Sequence, residues 1–543
     1  MQNEKSSRLA AIQLEKLGER PTYKGVGRMF MLSSHSEEIK RHLEEAEQFN
    51  HKAMQVDKQR EFLEKSVEES EKNLHMPAPT TLVSHVGKEN EHVLQYWDEL
   101  NEEERAALSN QILSIDIDEC KSAFDASSLI SPPSPTDLSP LDDNRHIVVE
   151  DLEKNEKERL LFKGLEAISK GEVAALVLAG GQASRLGSDK PKGMMPLSLH
   201  ASSVDSLLGL QGAKLSRLQE LAALHFPTSV PCIPWLIMTS KTTEALTKEH
   251  VKEVAKASNL KSDQITIFSQ WNMPAFDMEG RLILAEKGEL STAPNGNGGL
   301  YSALAPHLDN LKAKGVKYIH VYCVDNILVK VADPLMIGIA IDRESDCMAK
   351  VVKKVDPEEK VGVICMKNGL TTVVEYSELC DLSFRSLPDG RLEYRAGNIA
   401  NHLFSLSFLQ SFCSSSFHLP YHRALKKIAY VDKDGQLVKP CSPNGIKLEQ
   451  FVFDVFEKSS NFYMMEVIRE QEFSPLKNAD SVGTECLSTC RRDLHRLHSK
   501  WLREAGVDVD EEAKVLVSPS KSYDGENLDE YKDIPVSENL IIQ

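Results

Sequence analysis

The chain is 543 residues long, with 64 Lys plus Arg against 82 Asp plus Glu and a formal charge of −18. That length supports about two to four domains with a sizeable core, and that acidity repels a phosphate backbone, which argues against nucleic-acid binding. No run approaches the roughly 18 apolar residues of a membrane helix and no apolar segment follows the mixed-charge start, so a soluble, unsecreted protein is expected.

Residues 1–80 are rich in Glu, Lys, Gln and Arg around sparse apolar positions such as Phe49, Phe62 and Val67, and predict a charged helical or disordered arm. Over 93–113 the residues Val93, Leu94, Trp97, Leu100, Leu108 and Ile112 fall near helical spacing and predict two packed helices. Around 131–140, Pro132, Pro133, Pro135 and Pro140 remove backbone donors so often that a linker or exposed loop is predicted. A helical region with its linker thus occupies 81–145.

From 146 to 480 the texture changes. Apolar runs at 173–179, 235–238, 318–324, 349–352 and 361–365 alternate with helical segments, which predicts an α/β domain on a largely parallel sheet. Polar sequence returns over 481–543, where a helix near 494–502 and short strand-like pieces predict a small C-terminal module. The ten cysteines are scattered, and Cys486 and Cys490 have no second pair to complete a zinc site. Reduced thiols and a cytoplasmic location are expected.

The strongest chemical signal is Leu178-Ala179-Gly180-Gly181-Gln182-Ala183-Ser184-Arg185-Leu186-Gly187, followed by Pro191-Lys192. A buried strand runs into paired glycines that let a ligand approach backbone N–H groups, and Arg185 and Lys192 follow to hold negative charge. It lacks the Gly-Lys-Ser/Thr end of a Walker loop and the spacing of a dinucleotide fingerprint, so it predicts a phosphate-binding loop of another kind.

These residues resemble the signature of the UDP-sugar pyrophosphorylases, and further blocks resemble the eukaryotic UDP-N-acetylhexosamine pyrophosphorylase family. They are Gln270 with Met273-Pro274-Ala275, Asn295-Gly296-Asn297-Gly298-Gly299, Val324-Asp325-Asn326, Val374-Glu375-Tyr376, Asn398 with Asn401-His402, Pro443-Asn444-Gly445-Ile446-Lys447, and Ser474-Pro475-Leu476-Lys477. The resemblance implies a Rossmann-like nucleotidyltransferase domain of the glycosyltransferase A type. It implies formation of UDP-N-acetylglucosamine and pyrophosphate from UTP and an N-acetylhexosamine 1-phosphate, with Mg2+ as cofactor. The same chemistry on N-acetylgalactosamine 1-phosphate or glucose 1-phosphate is an alternative, and so is a non-catalytic nucleotide-sugar scaffold.

Residue by residue, the resemblance implies that Leu178, Ala179, Gly180 and Gly181 hold the uridine and α-phosphate region, with Gln270 and Gly296 reading the uracil. Arg185, Lys192 and Lys447 would face the phosphates, and Asp325 would ligate Mg2+. Asn297, Gly362, Glu375, Tyr376, Asn398 and Lys477 would take the sugar and its phosphate. His320 and Tyr322 read as core residues, because a nucleophile that is already ionised needs no proton shuttle. Three positions depart from the family pattern: Ala183 replaces a loop glycine, Ser184 a threonine and Asn295 an aspartate. Glycine runs usually reflect backbone geometry, so position 183 is expected at φ > 0, where alanine would carry strain on the order of 1 kcal/mol.

Overall fold

The computed structural model of the chain describes residues 79–129, 133–199, 204–413, 419–532 and 534–543, and before them only 22–26, 29–33, 36, 39 and 40. The larger of two units comprises residues 85–100 and 110–543; the smaller comprises what is described of 1–84 together with 101–109. In the smaller unit Thr22–Val26 pairs antiparallel with Met29–Ser33. This is a hairpin in a stretch where composition suggests helix or disorder; most of the remaining arm lies outside the described residues.

Only one of the two helices expected over 93–113 forms, as Glu102–Leu113. Before it stand the 3₁₀ turns Lys88–Leu94 and Trp97–Glu99. Side chains shape the first turn: Asn90 Oδ1 accepts the Leu282 N–H at 2.8 Å and the His92 ring meets the Leu282 carbonyl at 2.7 Å. Within the predicted linker, residues 131 and 132 lie outside the described set. Leu138–Ser139, expected as loop, instead joins a sheet edge through Met366 and Lys367.

The larger unit is organised by one mixed sheet. Its strands are β1 (His146–Val148), β2 (Val173–Leu178), β3 (Trp235–Thr239), β4 (Ile265–Ser269), β5 (Tyr318–Cys323), β6 (Cys347–Lys353), β7 (Val363–Lys367), β8 (Leu370–Val374), β9 (Ala396–Ser405) and β10 (Phe462–Val467). The order along the main path is β1-β10-β6-β9-β5-β2-β3-β4, and β7 with β8 hangs off β9. All pairs on that path are parallel except those of β9, which runs antiparallel to both β5 and β6.

Both faces of the sheet are covered, which is why β2 reads as an unbroken apolar run. Val173, Ala175 and Val177 enter one core, and Ala174, Leu176 and Leu178 the other. The first core is roofed by α1 (Lys154–Ser169), α2 (Leu207–His225), α3 (Glu244–Ala257), α4 (Pro334–Asp342) and α5 (Leu487–Glu504). Residues of the expected C-terminal module, Leu494, Leu502, Leu516 and Ile542 among them, belong to that same core, so no break in packing appears at residue 480. Among the described residues no helix is long and apolar enough to cross a membrane.

Two glycines set the approach of α1 to α4. A Cβ on Gly164 would lie 1.9 Å from the Pro334 carbonyl oxygen, and one on Gly338 would lie 1.8 Å from that of Leu160. The backbones themselves are in contact, so one added methyl forces the helices apart. We expect Gly164→Ala to lower unfolding stability by about 1–3 kcal/mol in a denaturant titration; an unchanged midpoint would show that the crossing yields freely.

Candidate functional site

The chain runs from β2 through α2 to β3 and through α3 to β4, then returns to place β5 on the other side of β2. At that reversal the loops leaving the carboxyl ends of β2 and β5 adjoin, at the crevice where open α/β sheets bind ligands. The glycine loop leaves β2 there, and Val324-Asp325-Asn326 leaves β5. Lys192 and Asp325 meet across the opening, Nζ to Oδ2 at 3.4 Å, with side chains 18% and 20% exposed.

The loop after β2 folds back on itself. The Ala183 N–H bonds to the Lys190 carbonyl at 3.0 Å and the Lys192 N–H to the Gly181 carbonyl at 3.0 Å, which carries Lys192 back toward the strand end. A Cβ on Gly180 would stand 2.7 Å from Gln270 Nε2 and push that side chain aside, whereas one on Gly181 would meet nothing within 4 Å. Left-handed backbone falls at Gly187, with φ 76°. Ala183 has φ −87° and is buried, so the expectation of strain there is wrong: the turn needs a small residue at 183 and not a glycine. Arg185 is exposed on the turn Ser184–Leu186, with no ion-pair partner among the described residues.

Among the residues expected to take the nucleoside, the Gln270 N–H bonds to the Thr239 carbonyl at 3.0 Å, at the end of β3. Its Oε1 is buried without a partner. Gly296 has φ 86°, and a Cβ there would stand 2.4 Å from the Gln450 carbonyl oxygen. Two further bonds fasten this loop to Gln450, one from its N–H to the Asn295 carbonyl and one from the Gly298 N–H to its carbonyl, each 2.8 Å. Asn297 Oδ1 accepts the Val452 N–H at 2.9 Å, leaving its Nδ2 for a ligand. Gln450 directly follows the strand Gly445–Glu449, which carries Lys447. Burial and then Lys426 lower the pKa of the Lys447 ammonium, and Glu449 opposes them. These neighbours do not include the Lys192–Asp325 pair.

Gly362, Glu375 and Asn398, expected to take the sugar, lie together. The Gly362 carbonyl accepts the Asn398 N–H at 2.8 Å, and a Cβ on Gly362 would lie 3.2 Å from Glu375 Oε1. Burial and then Glu378 raise the Glu375 carboxyl above the usual range, with His422 acting against them. Tyr376 projects outward, 42% exposed. Lys477 pairs with Glu485 at 3.0 Å and adjoins Asp325 through the backbone, where the Leu476 N–H bonds to the Asp325 carbonyl at 2.8 Å. His320 is a core residue as expected: Nδ1 accepts the Ala332 N–H at 3.0 Å, which leaves Nε2 to donate to Asn401 Oδ1 at 2.7 Å. Burial, then Lys350, pushes its pKa down to about 4.

A family model described as UTP–glucose-1-phosphate uridylyltransferase matches residues 132–521. The chain belongs to that family. Within the uridylyltransferase family, a Caenorhabditis elegans protein named Probable UDP-N-acetylglucosamine pyrophosphorylase is 48% identical over 456 residues, covering 83% of this chain and 94% of its own. The UDP-N-acetylglucosamine pyrophosphorylase of Saccharomyces cerevisiae is 39% identical over 464 residues, covering 80% and 93%. The crystal structure of the uridine diphosphate N-acetylglucosamine pyrophosphorylase from Trypanosoma brucei in complex with inhibitor aligns with a TM-score of 0.74 at 28% identity, covering 86% of this chain and 98% of that one.

Several residues that shape this uridylyltransferase-family site escaped the sequence reading. Ser240 Oγ donates to the Gly180 carbonyl at 2.9 Å, and Gln211 Nε2 to the Val324 carbonyl at 3.0 Å. Lys214 donates to the Val329 carbonyl at 2.8 Å, and burial lowers its pKa to about 8. Helix α2 thus grips the loop after β5 from beneath. None of these residues lies in a motif, and no spacing in the sequence marks them. For Ala183→Gly we expect a stability loss of about 1 kcal/mol by thermal or chemical unfolding, since glycine at negative φ only frees the unfolded chain and loses a buried methyl. A gain in stability would restore the strained-loop reading.

Proposed function

We propose that this chain catalyses uridylyl transfer: a phosphate oxygen of N-acetylglucosamine 1-phosphate attacks the α-phosphorus of UTP, the bond from that phosphorus to the β-phosphate oxygen breaks, and pyrophosphate leaves with the electron pair. The observation that carries the reading is the meeting of Lys192 and Asp325 in the crevice beside the glycine loop. The choice of sugar follows the names of the Caenorhabditis elegans and Saccharomyces cerevisiae relatives.

The difficulty of this reaction is charge. A dianion must be brought in line against a polyanion while negative charge accumulates on the leaving group, so catalysis rests on positioning and on fixed cations. No general base is required, in keeping with His320 and His402, whose burial pushes them down to about 4 and about 3 and leaves them neutral. The orphaned Gln270 Oε1 is an acceptor held ready for an N–H donor such as the uracil imide, over the bare backbone of Gly180. Lys192 would hold the triphosphate from one side and Lys447 from the other, and Lys477 would face the sugar phosphate. The fit of Ala183 to its loop removes the strain that argued for a non-catalytic scaffold. We place the activity in the cytoplasm, where the ten free thiols would stay reduced.

Mg2+ is part of this reading. No group of three or more Cys, His, Asp or Glu side chains able to hold a metal occurs among the described residues. Asp325 offers one carboxylate, which suits a hard cation that takes its other ligands from phosphates and water. Asp325 would hold it, and the ion would supply charge neutralisation at the phosphates.

The deciding experiment is pyrophosphate release by the purified protein with UTP, Mg2+ and a panel of sugar 1-phosphates. N-acetylglucosamine 1-phosphate is expected to react fastest, and no release from any sugar would overturn the reading. Lys192→Ala and Lys447→Ala should each lower kcat at least about 100-fold with the fold intact. Either variant turning over normally at saturating UTP would remove that lysine from the site. Asp325→Asn, or chelation of the unaltered protein, should abolish turnover, and full activity in excess chelator would dismiss the metal.

A further inference from the structure

We propose that Asn326 is a positioning residue that holds the Asp325 carboxylate and the Lys477 ammonium in fixed register, and so sets the sugar 1-phosphate side of the site against its nucleotide side. The inference rests on the uridylyl-transfer reading and adds to it a residue with no contact to the reacting atoms.

Asn326 is 4% exposed, and both ends of its amide are used. Oδ1 accepts the N–H groups of Ser474 at 2.9 Å and Leu328 at 3.2 Å, and Nδ2 donates to the Glu472 carbonyl at 2.7 Å. The backbone repeats the junction: Asn326 bridges Pro475, the Ile327 N–H bonds to the Ser474 carbonyl at 3.2 Å and the Leu476 N–H to the Asp325 carbonyl at 2.8 Å. Residues 325–327 and 472–476 are therefore laced together although neither segment is a strand. The last rung ends on Leu476, and Lys477 is the next residue.

Both sides of the junction are anchored from beneath. The Glu472 carboxylate bonds to the buried Lys350 ammonium, which also meets Asp333 at 2.6 Å, and Asp333 caps α4 by accepting the Leu335 N–H at 3.0 Å. Burial opposes the charge on Lys350, but Asp333 and then Glu472 outweigh it and hold the ammonium protonated. On the same segment Ser474 Oγ donates to Asp493 of α5 at 2.9 Å, and the 325–327 segment is held separately by Lys214 Nζ, which donates to the Ile327 carbonyl at 3.3 Å. The frame on each side is tied down independently, and Asn326 is the side chain that spans them. Only an amide can do so, since the span needs one donor and one acceptor on a short arm. Aspartate would keep the acceptor, lose the donor and face the Glu472 carbonyl with like charge.

The test is a double-variant cycle on the full chain, with Asn326→Ala, Asn326→Asp, Lys477→Ala and Asn326→Ala combined with Lys477→Ala. KM for UTP and for the sugar 1-phosphate are measured separately by pyrophosphate release. Asn326→Ala should raise KM for the sugar 1-phosphate about tenfold or more and leave that for UTP within about twofold, with a smaller rise in Asn326→Asp. In the Lys477→Ala background, Asn326→Ala should add less than about twofold, because its effect passes through Lys477. Equal rises in both KM values, or effects that multiply in the double variant, would overturn the proposal. If Asn326→Ala does not fold, Asn326→Asp carries the same comparison and the same criterion. A wild-type protein that releases no pyrophosphate would sink the uridylyl-transfer reading instead. The clamp is then judged by amide exchange at Ser474 and Leu476, which should quicken about tenfold or more in Asn326→Asp if the span exists and stay unchanged if it does not.

Discussion

Two parallel strands that lie side by side, β2 and β5, bring their following loops together at one end of the sheet, and the candidate site depends on that adjacency. A glycine loop alone is a turn. Faced by a carboxylate at the end of the neighbouring strand, it becomes a place where phosphate charge could be met from two sides. The Lys192–Asp325 contact at 3.4 Å registers this geometry, since these residues are 133 positions apart in sequence and meet only because the chain returns to the other side of β2. The rest of the architecture supplies walls. β4 brings Gln270 over Gly180, β9 brings Asn398 to Gly362, and the loop after β10 brings Lys477 beside Asp325.

Such a site asks for rigidity in the loops and for charge in the crevice, and the two requirements are met by different residues. The cations in the crevice are partly exposed. Those below it are buried and spent on the frame: Lys350 is held by Asp333 and Glu472, and Lys214 by main-chain carbonyls of the loop after β5. Buried ion pairs are poor sources of net stability, because desolvation offsets most of the attraction, but a buried charge with one allowed partner penalises every alternative arrangement severely. Here that penalty falls on displacement of Asp333 and Glu472, the residues at which α4 and the Lys477 loop begin.

The sequence made the chemistry legible where residue identity alone decides it. Paired glycines after an apolar strand, cations at fixed offsets and one carboxylate at a strand end announce polyphosphate, and the continuous apolar run of β2 announces a sheet covered on both faces. What it could not announce are contacts created by tertiary proximity. Asn90 and His92 turn 88–94 into a 3₁₀ segment by bonding to Leu282, nearly two hundred residues away, and no periodicity encodes that. The C-terminal residues look polar and detached because α5 buries a single stripe in a core whose other members lie far upstream. Gln450 fastens the Gly296 loop without belonging to any motif, and the hairpin at 22–33 sits in a composition that favours neither strand nor core.

Ala183 separates two meanings that a glycine pattern carries. In one, glycine is demanded by left-handed backbone; in the other, by crowding. Gly187 is of the first kind, Gly298, packed on the Gln450 backbone, of the second, and Gly296 of both. Position 183 is of neither, with φ −87° and a methyl that is accommodated inside the turn. A departure from a family's glycine is thus informative only once φ and the space at Cβ are known, and the two tests can be applied position by position. Applied across this loop they leave the paired glycines, Gly180 and Gly181, unaltered, and confine the departure to the base of the turn. There the Ala183 N–H and carbonyl serve the loop's own closure, bonding to Lys190, Leu186 and Ser188. The changed residue belongs to the scaffold of the loop, and the backbone exposed at the paired glycines does not depend on it.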